Sequence, residues 1–305
     1  MFSIYITPDV KYEIVLTSGV FMSNPTVSIV MPVYNAGIYI KDAIQDILHQ
    51  TYTDFELICV DDGSTDQSAN ILRYFAESDE RVCIITQDNQ GAGAARNVGL
   101  DVAKGEYIWF PDADDRFETG LIEHVINVAR CTNSEVVVFN ADSFDSESGI
   151  VFDEEWVQHG FFPHDCEVFS YKDIPDYIFL FTPACVWNKL YKLDFIKEKD
   201  IKFQMIPYMN DVYFEQLTVA MAQRITVCEK VLLHYRKGQS KTVSGYANKK
   251  KNPQIAFDVL YKTKKQLEIF GIYETVKKSY ANHTLGIIFS HLEMMNGDSY
   301  PMPLS

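Results

Sequence analysis

The chain has 305 residues, 47% of them hydrophobic, and 42 acidic residues against 27 Lys and Arg give a formal net charge of −15. That length holds one large domain or a domain with an appendage. The acidity argues against nucleic acid as the main partner, because phosphate binding needs a basic surface.

Residues 1–21 contain Pro8, Asp9, Lys11 and Glu13, which interrupt any signal-peptide core. They read as a weakly ordered extension ahead of a domain that opens near Met22. From there strand and helix patterns alternate. VSIVMP (27–32) is a β-branched apolar run, and residues 38–50 place Ile40, Ala43, Ile44, Ile47 and Leu48 on one helical stripe. ELICVD (56–61) predicts a second strand, residues 65–77 a second helix, VCIIT (82–86) a third strand and residues 91–103 a third helix. YIWFPD (107–112) predicts a fourth strand, followed by a helix over 119–130 and another strand, EVVVFNAD (135–142). This alternation implies parallel strands with right-handed crossovers, covered on both faces. Periodicity fades over 143–176, a long excursion with Pro163 and Pro175, and returns as a helix near 212–223 and a short strand at 225–235. The end, 253–296, reads as two or three helices with Ile255, Val259, Leu260 and Leu267 inward. No segment has the length and purity of a membrane-spanning helix. The six scattered cysteines form no C-x-x-C pair and read as reduced thiols.

In open α/β sheets, ligands bind beyond the carboxyl ends of the strands. The polar clusters fall there: Tyr34-Asn35, then Asp61-Asp62-Gly63-Ser64, then Asp112, Asp114 and Asp115. Two unit charges 4 Å apart cost roughly 4 kcal/mol at an effective dielectric near 20. Three carboxylates within four positions therefore call for an offset, and a divalent cation with oxygen ligands supplies one. A polar turn capping the next helix is the plainer alternative.

VSIVMPVYNAGIYIKDAIQDILHQTYTDFELICVDDGSTD, followed by GAGAARNVGLDVAKGEYIWFPDADD, resembles the family 2 inverting glycosyltransferases of the GT-A fold, in the right order and spacing over about residues 27–121. WNKLYKLDFIKEKDIKF (187–203), NDVYFE (210–215) and HYRKGQS (234–240) add a weaker match to members that build bacterial polysaccharides. The resemblance implies a mostly parallel nucleotide-binding sheet flanked by helices, with a helical C-terminal extension. It divides the chain into a GT-A domain over 22–245, with a donor half at about 27–142 and an acceptor half at about 143–245, and a helical region over 246–305.

The resemblance also implies roles. Pro32, Val33, Tyr34 and Asn35 form the loop against the nucleoside, Asp62 accepts from the uracil N–H, and Arg96 with Asn97 lies near the nucleotide pocket. Asp112 and Asp114 match the D-x-D motif, the first near the ribose and the second holding Mn²⁺ or Mg²⁺ on the diphosphate. Asp115, Arg236 and Ser240 are placed beside the donor sugar or diphosphate, and His234 as a further metal ligand, although a lone His at a strand end is more often structural. Asp211 matches the general base. Helix capping is an equally good reading of Asp211 from the residues alone, and Asn210 stands where the family often has an acid. Trp187, Lys189 and Tyr191 are expected on the acceptor side, with core an equal reading for Trp187.

The implied activity is metal-dependent transfer of a hexose from a UDP-sugar to a hydroxyl of a glycan or lipid-linked acceptor, in the cytoplasm or at the inner face of the membrane. A non-catalytic binding subunit and a nucleotidyltransferase are the alternatives; the second needs a basic glycine-rich loop, and PVYNAG has no Lys or Arg. GAGAAR (91–96) lacks the last glycine of a dinucleotide fingerprint. The lysines at 249–251, 262, 264, 265, 277 and 278 suit a solvated face better than an anionic membrane. Apolar faces on the last helices offer a route to a homodimer.

Overall fold

The computed structural model describes residues 12–15, 24–152, 154, 156–163, 168–237 and 254–296. Val27–Val33 (β2) and Phe55–Asp61 (β3) are buried along nearly their whole length. Ile29, Met31 and Leu57 pack into one apolar cluster, and Val30 and Ile58 into another on the opposite face. Period-two alternation thus feeds two cores, and both faces are covered. Val82–Gln87 (β4) pairs parallel to β3, and Tyr107–Trp109 (β5) parallel to β2.

The helices follow the expected stripes. Ile40–Leu48 (α1) buries Ile40, Ala43, Ile44 and Ile47, and Ser68–Ser78 (α2) buries Leu72, Phe75 and Ala76. Ala92–Val102 (α3) sits unusually close to its neighbours. A Cβ on Gly99 would lie 2.2 Å from Val30 Cγ1, and one on Gly93 would lie 2.1 Å from the Gln204 carbonyl oxygen. Gly93 and Gly99 therefore serve close packing, whereas Gly91 is held at φ 92° with no comparably close neighbour.

Leu121–Thr132 (α4) leads to Val136–Asp145 (β7), which pairs parallel with Ile225–Lys237 (β10). This last strand has 13 residues and register shifts between Cys228 and Leu233, where a short strand was expected. Between β5 and β7 lies Lys189–Lys192 (β9), antiparallel to both. Lys189 and Tyr191 are fully buried there and Trp187 is 4% exposed, which corrects the acceptor-facing placement of Lys189 and Tyr191 and makes Trp187 core. β5, β7 and β10 still point the same way, so their carboxyl ends share one edge with those of β2, β3 and β4. Arg116–Phe117 (β6) pairs with β10, and Val151–Phe152 (β8) with β7.

Inside the leading segment, Tyr12–Val15 (β1) pairs antiparallel with β4 as an edge strand, a tie the sequence did not suggest. Leu193–Glu198 (α5) follows β9, and Val212–Met221 (α6) carries the candidate base at its start. Gln254–Ile269 (α7) and Tyr273–Asn296 (α8) close the chain. Val259, Leu260 and Leu267 are buried as expected, while Phe257, Tyr261, Leu285 and Phe289 are at least half exposed. Lys264, Lys265, Lys277 and Lys278 pair with acids, as a solvated face would; Lys249–Lys251 lie outside the described residues. Among the described residues, no helix is long and apolar enough to cross a membrane.

Candidate active site

The loops after β2 and β3 are fastened to one another. Asn35, held at φ 50°, accepts from Thr65 N–H at 2.8 Å through Oδ1, and its own N–H donates to Ser64 Oγ at 3.1 Å. Ala36 N–H donates to Ser68 Oγ, and Gly37 N–H to Asp66. Tyr34 is left 48% exposed at the edge of the sheet, Pro32 is half-buried, and the Val33 side chain is core, so only the Val33 backbone can serve the loop. Asp62 is buried and accepts from Gln87 Nε2 at 2.6 Å, Gln90 N–H at 2.8 Å and Gly91 N–H at 2.8 Å. Its carboxylate pins the glycine that opens α3, a structural duty the motif did not reveal, and a carboxylate with about four lone-pair positions keeps room for one more donor.

Asp112, Asp114 and Asp115 converge beyond β5, with one oxygen from each within 4.8 Å of the others. Asp115 is 1% exposed. Burial, then Asp114 and Asp112, push its pKa well above the usual carboxylate range, against the hydrogen bond from Arg236 N–H at 2.9 Å. Its Oδ2 is buried without a hydrogen-bond partner among the described residues. Crowded hard oxygens, one of them orphaned, fit a divalent cation. Arg236 lies against this cluster: Nε donates to the Asp114 carbonyl at 2.6 Å, and the guanidinium lies 4.6 Å from the Tyr39 ring and 4.5 Å from the Phe144 ring.

His234 is not part of this cluster. Its Nδ1 lies 2.6 Å from Asp142 and its Nε2 3.0 Å from Glu118, so both ring nitrogens are taken by carboxylates. Burial lowers its pKa, but those two bonds outweigh it and leave the pKa above the ordinary value. The metal-ligand expectation for His234 is corrected to an ion-paired strut between β10, β7 and the segment after β6. Ser240 lies outside the described residues.

Arg96 links the carboxylate cluster to the start of α6. Its guanidinium is buried and donates to Asp112 Oδ1 at 2.6 Å and to Asn210 Oδ1 at 2.8 Å. Asn210 therefore does what an acid would do here, accepting from Arg96, without adding charge. Asn97 is occupied elsewhere, exchanging two hydrogen bonds of 2.9 Å with the Phe203 backbone. Asp211 begins α6 yet makes no side-chain capping bond. Capping, the equally good reading of Asp211 from the residues alone, is not what its carboxylate does. Burial raises its pKa, Arg96 pulls it back, and Asp112 adds to the rise.

Beneath Asp211 lies a pair the sequence reading missed. Glu215, one turn on, is 3.4 Å from Lys189 Nζ, and both side chains are buried. Burial pushes Glu215 up to about 7 against the pull of Lys189. Lys189 also donates to the carbonyls of Pro183 and Cys185 and to Asn188 Oδ1, at 2.8–3.1 Å. The four-residue spacing of Asp211 and Glu215 was the available signal.

The model of glycosyl transferase family 2 matches residues 28–185, just over half of the chain. The chain belongs to this family. Among curated relatives, the Bacillus subtilis (strain 168) glycosyltransferase-named protein EpsH is 31% identical over 237 residues, covering 75% of this chain and 65% of EpsH. The chain spans less than two thirds of the length of the curated relatives it matches first. Among solved structures, S. aureus TarS 1–349 in complex with UDP-GlcNAc superposes with a TM-score of 0.66 at 20% identity, over 90% of this chain and 73% of that one. The mannosyltransferase PcManGT from Pyrobaculum calidifontis, in complex with GDP-Man and Mn²⁺, gives 0.58 at 14%, over 92% and 78%. These likenesses identify the fold as GT-A, the usual scaffold of family 2.

Proposed function

We propose that this family 2 member transfers a hexose, with inversion, from a UDP-sugar to a hydroxyl of a glycan or lipid-linked acceptor, in the cytoplasm or against the inner face of a membrane. One observation carries the reading: Arg96 ties Asp112 to Asn210, the residue before Asp211, so the carboxylate cluster and the candidate base border one cleft. Asp211 accepts the proton of the acceptor hydroxyl as that oxygen attacks the anomeric carbon. The bond from that carbon to the diphosphate breaks on the opposite side, and its electron pair leaves with the phosphate oxygen. A carboxylate whose pKa is raised by burial is the better base for this step.

Asp114, flanked by Asp112 and Asp115, would hold Mn²⁺ or Mg²⁺, which when bound screens the negative charge of the diphosphate. Tyr34, Asn35 and the remaining lone pair of Asp62 offer the nucleoside a ring face and hydrogen-bonding groups, and Arg236 adds positive charge at the cluster. The Mn²⁺ in the PcManGT complex and the UDP-sugar in the TarS complex support both assignments by likeness of fold. Calorimetric titration with UDP, with and without Mn²⁺ and with GDP as control, tests the donor. Metal-dependent binding of UDP alone is the expected result, and equal binding without metal removes the assignment.

A further inference from the structure

Trp156 and Tyr235, with Trp187 behind them, form an aromatic shelf that no part of the reading above uses. The Trp156 and Trp187 ring centroids are 4.7 Å apart at 72°, those of Trp156 and Tyr235 5.4 Å apart at 58°, and Trp187 stacks on Tyr235 at 5.5 Å and 17°. Trp187 is core, whereas Trp156 and Tyr235 are only partly buried. The shelf adjoins the carboxylates. Tyr235 precedes Arg236, whose N–H bonds Asp115, and burial followed by Asp115, Asp112 and Asp114 pushes the Tyr235 phenol up. On its other side, Cys185, two residues before Trp187, lies within the electrostatic reach of Asp211 and Asp112. Glu154, hydrogen-bonded to Ser143 and Lys237, fastens the approach to Trp156 onto the ends of β7 and β10.

The two indoles differ in a telling way. Trp109, wholly core, donates its Nε1–H to the Trp187 carbonyl at 2.7 Å. Trp156 Nε1 is shielded from solvent and has no hydrogen-bond partner among the described residues. A buried donor left unpaired is destabilising, so a packing role alone explains the rings but not the N–H. A pyranose ring has the matching chemistry: a C–H face that packs on aromatic rings and a rim of hydroxyls that accept from an indole and donate to carboxylates. We propose that Trp156 and Tyr235 form a subsite for one sugar ring, stacked on the aromatic shelf, and that the ring's arrival uncovers Trp156 Nε1 to donate to one of its hydroxyls. The assignment rests on reading the cleft as a glycosyl-transfer site, and the ring belongs to either the donor or the acceptor.

The test is an indole N–H titration of the ¹⁵N-labelled full chain, with the Trp156 signal assigned by its loss in Trp156→Phe. One arm adds UDP-glucose, UDP-N-acetylglucosamine or UDP-galactose with Mg²⁺ against UDP with Mg²⁺. The other adds methyl glycosides of glucose, galactose and mannose. The Trp156 signal is expected to move with at least one sugar probe while that of Trp109 stays, and Trp156→Phe should bind that probe about tenfold more weakly, the worth of one hydrogen bond. Movement with a UDP-sugar but not UDP assigns the donor ring; movement with a methyl glycoside assigns the acceptor ring. A Trp156 signal that no probe moves, or that UDP alone moves as far, overturns the subsite, as does unchanged binding by a folded Trp156→Phe. Should that variant fail to fold, the titration of the native chain decides. UDP binding with a static Trp156 sinks the subsite alone, whereas a methyl-glycoside response without UDP binding sinks the donor reading alone.

Discussion

Asp112, Asp114 and Asp115 crowd beyond β5 with an oxygen of Asp115 buried and unpartnered, whereas Glu215, one turn below Asp211, has the Lys189 ammonium 3.4 Å away in the core. The first set is incomplete without something from outside. The second contains its own cation, and that cation is fastened by backbone carbonyls. Carboxylates that bind a donor must exchange partners at each turnover, and carboxylates that position a base must not. The contrast follows from the physics of burial: an unpaired buried charge costs several kcal/mol, and a paired, hydrogen-bonded one much less.

The sharpest way to break this contrast is at Asp211. Asp211→Asn keeps the size and removes the base, so transfer should fall by about 10²–10⁴-fold, the usual worth of a general base. Metal-dependent UDP binding, measured by calorimetry, should stay within about twofold, because the substitution leaves Arg96 its bonds to Asp112 and Asn210. Transfer at the native rate would remove Asp211 from the mechanism.

Next in size is the buried pair. Lys189→Met removes the cation that holds the Glu215 pKa down, so the buried carboxyl takes up a proton and loses its partner, and urea unfolding at neutral pH should show a loss of about 1–3 kcal/mol. Lys189→Met combined with Glu215→Leu should recover most of it, since replacing both partners removes the unpartnered carboxyl. If the single and double variants were equally unstable, the carbonyl contacts of Lys189 rather than its ion pair would hold the turn.

The two sets were unequally legible. The acidic cluster, the strands behind it and the helical stripes could all be read, because apolar periodicity and the D-x-D spacing are local patterns. Lys189 could not: a lysine in KLYK argues against an interior strand, and what permits it is oxygen supplied by Thr182, Pro183, Cys185 and Asn188 together with a carboxylate 26 residues on. His234 misled for the same reason. Its partners, Asp142 and Glu118, are 92 and 116 residues away in sequence and meet it only through the pairing of β10 with β7 and β6.

A smaller effect is expected at the open cluster. Asp114→Ala relieves like-charge repulsion, so the chelator-treated protein should be no less stable than the native one, with a gain of up to about 1 kcal/mol. The rise in unfolding temperature that Mn²⁺ gives the native chain should vanish in the variant, because a ligand stabilises only the state that binds it. A large loss of stability without metal would mean that Asp114 is a structural carboxylate, and the contrast between the two sets would fail.

The smallest effect tests His234, the residue moved from the metal set to a structural one. Its folded pKa lies above the ordinary value of about 6.5. The folded chain therefore holds this proton more tightly than the unfolded one. The resulting stabilisation is fully present below about 6.5 and is lost as pH rises through the folded value. His234→Gln should flatten that part of the stability–pH curve, costing stability at pH 6 and little at pH 9. Because His234 is partly exposed, solvent screening keeps the difference below about 1 kcal/mol. Metal-dependent UDP binding by the variant should match that of the native chain at pH 8, since the ring reaches Asp142 and Glu118 rather than the cluster. A variant that kept the native pH dependence of stability but lost metal affinity would return His234 to the metal set, and the closed and open sets of carboxylates would then share a ligand.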